Sequence, residues 1–208
     1  MLFLQPFYDI LSHNLAGKIN HFALIKLIFY SLDKTIFYFI IFAILRLCWL
    51  LFVRHRRHLL SEVCVWVFAF YVILLLMLTT FRDTYFPWQL SFNFNRPLSD
   101  VNLIFMKETL KLTQGASLLD FFYNSLGNIL WFIPFGLLFP VIIMKKSCFK
   151  ITLLVSLIFS IIIESLQFVL ATGVSDIDDV FFNVCGAIAG YGIYLLILKT
   201  KNVNGLVF

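Results

Sequence analysis

Residues 151–170 read ITLLVSLIFSIIIESLQFVL, twenty positions with one formal charge, Glu164. A helix needs about 20 apolar residues to cross a hydrocarbon core of roughly 30 Å, so this stretch is predicted to span a membrane. Its backbone must be helical there, because lipid offers no partner to an unpaired N–H or C=O. Residues 35–53, 63–81, 125–144 and 180–198 qualify on the same grounds. Composition agrees: 62% of the chain is hydrophobic, 13% is charged and mean hydropathy is +0.96. A soluble domain carries about a quarter charged residues, so this chain cannot close a water-soluble core. The expected fold class is all-α, a polytopic transmembrane helix bundle of about five spans plus an N-terminal interfacial helix.

Outward from these spans, the connections divide by charge. Arg54, His55, Arg56, Arg57 and His58 follow the first span, Lys145, Lys146 and Lys150 the third, and Lys199 and Lys201 the fifth. On the other side, residues 82–124 balance Arg82, Arg96, Lys107 and Lys111 against Asp83, Asp100, Glu108 and Asp120. The turn after the fourth span carries Asp176, Asp178 and Asp179 and no base. Basic segments stay cytoplasmic, which puts the N-terminus outside and the C-terminus inside. The net charge of +5 then reads as topology determinants and contacts with anionic lipid head groups, not as a nucleic-acid surface.

Residues 1–34 are expected to be an amphipathic, interfacial segment, with 19–32 too short to span. A sixth span there would invert the N-terminus, and Lys18, Lys26 and Lys34 count mildly against an outside position. Residues 35–81 form two transmembrane helices, 82–124 an extracytoplasmic loop with a short surface helix over 101–111, and 125–198 a three-helix core. Residues 1–17 do not read as a cleavable signal peptide, and the four cysteines show no CxxC spacing.

Ionisable groups inside a span cost about 2.5–3.5 kcal/mol on insertion scales, so each needs a reason. Arg46 lies close enough to Val53 for its stem to snorkel to the cytoplasmic interface. Glu164 sits roughly 9 Å below the outer end of its span, with Gln167 at i+3 on the same face. Ser175 is an N-cap candidate for the fifth span, and acids in a first turn suit the helix macrodipole. Asp179, Asn183, Gly186 and Gly190 then form one helical stripe, in which Gly186-x-x-x-Gly190 permits close helix packing. Asn128 starts the third span, where Pro134 and Pro140 each remove a backbone hydrogen bond. By depth, Asn128, Glu164, Gln167, Asp176, Asp178, Asp179 and Asn183 fall in the outer third of three consecutive spans and can line one outward-facing polar pocket.

These residues resemble the VanZ-like family. The pattern runs Asn128-Ile129-Leu130-Trp131-Phe132-Ile133-Pro134-Phe135-Gly136, then Glu164-x-x-Gln167, then Asp176-Ile177-Asp178-Asp179-Val180-Phe181-Phe182-Asn183, with Val101-Asn102-Leu103-Ile104 upstream. Two departures stand out: Gly173-Val174-Ser175 holds no arginine where many members do, and Phe105 replaces an expected proline. The resemblance implies a bacterial cell-membrane protein and low-level resistance to lipidated glycopeptides such as teicoplanin, or another role in the envelope. The partners this implies are the bilayer and a lipoglycopeptide or lipid-linked cell-wall precursor. The alternative is a membrane-embedded enzyme in which Glu164 and the three aspartates hold a divalent cation and one carboxylate acts as base. With no histidine in the pocket, a Ser/His/Asp hydrolase is not expected, and a transporter would need an inverted repeat that is not visible.

Overall fold

The fold is described from a computed structural model covering residues 1–15, 22–53, 58–106, 118–143 and 148–203. Among the described residues it comprises six α-helices: α1 (Gln5–Leu15), α2 (Phe22–Val53), α3 (Leu59–Thr79), α4 (Leu118–Ile143), α5 (Phe149–Leu170) and α6 (Ile177–Val203). Helices α2 to α6 are each long and apolar enough to cross a membrane. The chain is a multi-pass membrane protein. One end of the bundle carries the loop 80–106 and the α5–α6 turn, here called the loop end; the other carries Lys150 and Lys199.

The spanning stretches Leu59–Thr79, Ser125–Ile143, Phe149–Leu170 and Ile177–Thr200 lie within a few residues of their expected bounds, but α2 does not. It runs 32 residues, about 48 Å at 1.5 Å per residue, and begins well before residue 35. Residues 22–32 are therefore the first turns of a spanning helix, not a separate interfacial one, and the only short N-terminal helix described is α1. Asp33 and Lys34, next to the expected start of the span at residue 35, are both fully buried. The Asp33 carboxylate accepts the backbone N–H groups of Leu2, Phe3 and Leu4, each at 2.7 Å, and the Tyr85 hydroxyl at 2.7 Å. Lys34 donates to the carbonyls of Phe81, Arg82 (3.2 Å) and Thr84 (3.2 Å), just past the end of α3, and lies over the Tyr30 ring. A helix end leaves carbonyls unpaired, and here a lysine from the neighbouring helix satisfies the chain that follows. Burial, reinforced by Asp33, pushes the Tyr85 phenol well above its ordinary pKa, so it serves as a donor.

Ser31 Oγ donates to the Met77 carbonyl at 3.0 Å, which puts Ser31 level with the last turn of α3. Residues 22–30 overhang that level by about 13 Å, and α1 leans on the overhang through Tyr8 against Phe22 and Phe29.

The core is aromatic: Leu75, Phe132, Phe135 and Ile163 are buried, flanked by Phe68, Tyr71, Phe139 and Phe159. Helices α4 and α6 pack most extensively, because three glycines remove the side chains that would part them. A Cβ at Gly136 would fall on the Ala187 carbonyl, one at Gly186 on that of Ile129, and one at Gly190 on that of Ile133. Helix α4 continues through Pro134 and Pro140. The Tyr71 hydroxyl donates to the Trp131 carbonyl at 2.6 Å, one residue beyond the carbonyl that Pro134 frees.

Arg46 does not snorkel alone. Its Nε and Nη2 meet Glu62 Oε1 and Oε2 at 2.8 and 2.6 Å, a two-point ion pair that Trp66 Nε1 joins at 3.0 Å. Charge on charge replaces hydration that lipid would deny. Glu62→Gln is expected to destabilise the bundle by on the order of 2 kcal/mol, less than the 3–5 kcal/mol of a fully buried pair, since both side chains keep some solvent access. Arg46→Met/Glu62→Met should recover most of that loss in detergent unfolding. Equal stability of wild type and single variant would contradict the pairing.

Candidate functional site

At the loop end the start of α6 gathers the polar residues. Asp176 caps the helix: its Oδ1 accepts the N–H of Asp178 at 2.9 Å, the usual bond from the second helical residue. The cap is thus Asp176 and not Ser175. Glu164 reaches it from α5, with Oε2 accepting the Asp176 N–H at 3.0 Å. Asn128 reaches it from α4, with Nδ2 donating to Asp179 Oδ1 at 2.6 Å. One carboxylate, one amide and the helix start therefore join three spans.

Loop residues complete the layer. Asn102 forms a parallel bridge with Asp176 through its own N–H to the Ser175 carbonyl (2.9 Å) and the Ile177 N–H to its carbonyl (3.0 Å). Its side-chain amide donates to Asp176 Oδ1 at 3.0 Å. The Met106 N–H donates to Asp178 Oδ1 at 2.6 Å, and Met106 adopts a left-handed φ of 61°, a conformation uncommon outside glycine. Residues 101–106 contain no helix, contrary to expectation: after the bridge at Asn102 the chain bends and turns back to Asp178; residues 107–111 lie outside the described residues.

Not every predicted member converges. Gln167 is buried but turns away, donating to the Thr79 carbonyl on α3 at 3.3 Å. Asn183 lies one turn deeper and donates to Ser160 Oγ at 2.9 Å. Ser160 belongs to a buried polar stripe along α5 of Thr152, Ser156, Ser160, Glu164 and Gln167. That stripe was legible as an i, i+4 repeat and was missed, as was the bridging role of Asn102. The turn without an arginine receives one from the loop: Arg96 Nη1 donates to the carbonyls of Phe168 (3.3 Å) and Gly173 (3.1 Å), its guanidinium covers the Phe168 ring, and Nε meets Asp100 at 3.2 Å.

Glu164 and Asp178 are 6% and 2% exposed, so the network is packed rather than open to bulk water. Its acceptors already hold backbone and amide donors. Among the described residues no three His, Cys, Asp or Glu side chains stand close enough to hold a metal ion, which leaves the divalent-cation alternative without a ligand set there.

The segment that builds this layer is also the one that known proteins share. The family description VanZ/LLP1 matches residues 68–198, from within α3 to near the end of α6. The chain belongs to the VanZ/LLP1 family. Protein VanZ of Enterococcus faecium is 36% identical over 85 residues, which cover 41% of this chain and 52% of that protein. The chain therefore spans about half the length of that VanZ relative. No solved structure matches. In VanZ/LLP1 terms, Asn128, Glu164, Asp176, Asp178 and Asp179 all fall inside the matched region, whereas Asp33, Lys34 and the Arg46–Glu62 pair involve residues before it.

Proposed function

We propose that this VanZ/LLP1 protein lies in a bacterial cell membrane with the loop end outside, where it lowers susceptibility to lipidated glycopeptides such as teicoplanin. The observation that carries this reading is the carboxylate layer at one end of the bundle, which we take to lie where lipid tails give way to head groups. The orientation draws on charge: Lys150 and Lys199 stand at the opposite end, and Asp176, Asp178 and Asp179 cluster at this one. A drug that anchors through an acyl chain would meet the protein at that depth, as would a lipid-linked cell-wall precursor. The family membership supports the drug class.

The test is susceptibility of a sensitive Gram-positive host to teicoplanin and vancomycin, with wild type, Glu164→Gln and Asp178→Asn at matched membrane levels. Wild type should raise the teicoplanin inhibitory concentration several-fold and leave vancomycin unchanged, with both variants at the level of the empty host. Protection that survives in both variants would remove the polar layer from the function. Absence of protection by wild type would remove the drug reading itself.

A further inference from the structure

Leu103, Ile104 and Phe105 are 71%, 59% and 52% exposed, three large apolar side chains in succession on the loop side of α6. Such a run is out of place on a water-facing loop. The strap they belong to does not rise away from the bundle. Asn102 is bridged to Asp176 at the helix start, whereas the Phe105 ring stands edge-on against Phe181, centroids 5.1 Å apart. Phe181 lies five residues further along α6, about 7 Å nearer the bundle's middle at 1.5 Å per residue. The strap therefore descends alongside a spanning helix. Ile177 and Phe181 are themselves exposed on that helix, so the apolar surface of the strap continues the lipid-facing surface of α6.

We infer that residues 102–106 are a re-entrant strap whose outer side, Leu103, Ile104 and Phe105, is inserted among the phospholipid acyl chains of the leaflet at the loop end. Non-helical backbone at that depth needs partners for its hydrogen bonds, and two of the strap's N–H groups find them on side chains. The Asn102 side chain accepts the Ile104 N–H at 3.3 Å, and Asp178 accepts the Met106 N–H at 2.6 Å. Asp178 thus has a task beyond the helix N-terminus: it satisfies a strap donor that lipid would leave bare. The strap presents carboxylate-bonded backbone inward and hydrocarbon outward.

The test is spin-label accessibility on the full chain in phosphatidylglycerol–phosphatidylcholine vesicles. Cys48, Cys64, Cys148 and Cys185 are first replaced by alanine, and single cysteines are placed at 103, 104 and 105, with exposed Asn95 as the aqueous reference. Inserted labels should collide with oxygen in several-fold preference over a water-soluble nickel chelate, relative to Asn95, and the preference should grow from 103 to 105. Leu103 and Ile104 are exposed, so labels there leave packing undisturbed. Nickel access at 104 equal to that at Asn95 would place the strap in water and overturn the inference. Shielding from both reagents would overturn it too, by showing that protein covers this surface.

Discussion

Gly136→Val is expected to leave no properly packed bundle, the largest loss of any substitution considered for this chain. The added atoms would land on the Ala187 carbonyl, which is backbone and cannot rotate aside as a side chain can. Relief requires α4 and α6 to separate along the face where they pack most extensively. Overpacking a core costs about 1–3 kcal/mol when side chains can adjust, and a helix-to-helix clash should exceed that. Two glycines on the same helices supply the control: a Cβ at Gly127 or Gly192 meets nothing within 4 Å. Size-exclusion profiles and thermal midpoints in detergent should show Gly136→Val aggregated or absent and Gly192→Val close to wild type. Matching profiles for the two variants would refute the close approach of α4 and α6.

The second large effect is expected at Asp33. Alanine there strands three backbone N–H groups and the Tyr85 hydroxyl, each worth about 1–3 kcal/mol when buried without a partner. The penalty should fall short of the sum, because residues 2–4 can peel into water and take α1 with them. A loss of about 2–4 kcal/mol is the expected scale, with amide hydrogen exchange across residues 2–15 rising sharply. Asp33→Asn keeps one acceptor oxygen and should fall between. Unchanged exchange in Asp33→Ala would show that α1 is held by its ring contacts with α2 instead.

How much of this was readable beforehand differs by residue. Spans α3 to α6 announce themselves because lipid selects for length and apolarity, both local properties. The start of α2 was hidden by Asp33 and Lys34, whose partners are backbone groups of residues 2–4 and 81–84. Nothing local marks a charge as neutralised by a distant main chain. The same holds for Arg46, whose partner Glu62 sits on the next helix. In the candidate site, depth alone collected Asn128, Glu164, Asp176, Asp178 and Asp179, since an antiparallel bundle brings alternate helix ends together. Depth does not give rotation about the axis, so Gln167 was grouped with residues it turns away from. Asn102 and Met106 act through backbone bridges that no periodicity encodes.

The glycine-lined seam between α4 and α6 has a bearing on how the protein is made. These helices are not neighbours in the chain: α5 is synthesised between them. From Ile143 to Val203 the ribosome adds 203 − 143 = 60 residues, on the order of 3–12 s at about 5–20 residues per second. Throughout that interval α4 sits in the bilayer with its notch at Gly136 unfilled. Helix α6, made after α5, therefore closes the core that α4 began. A nascent chain released before α6 would have no seam, a natural target for membrane quality control.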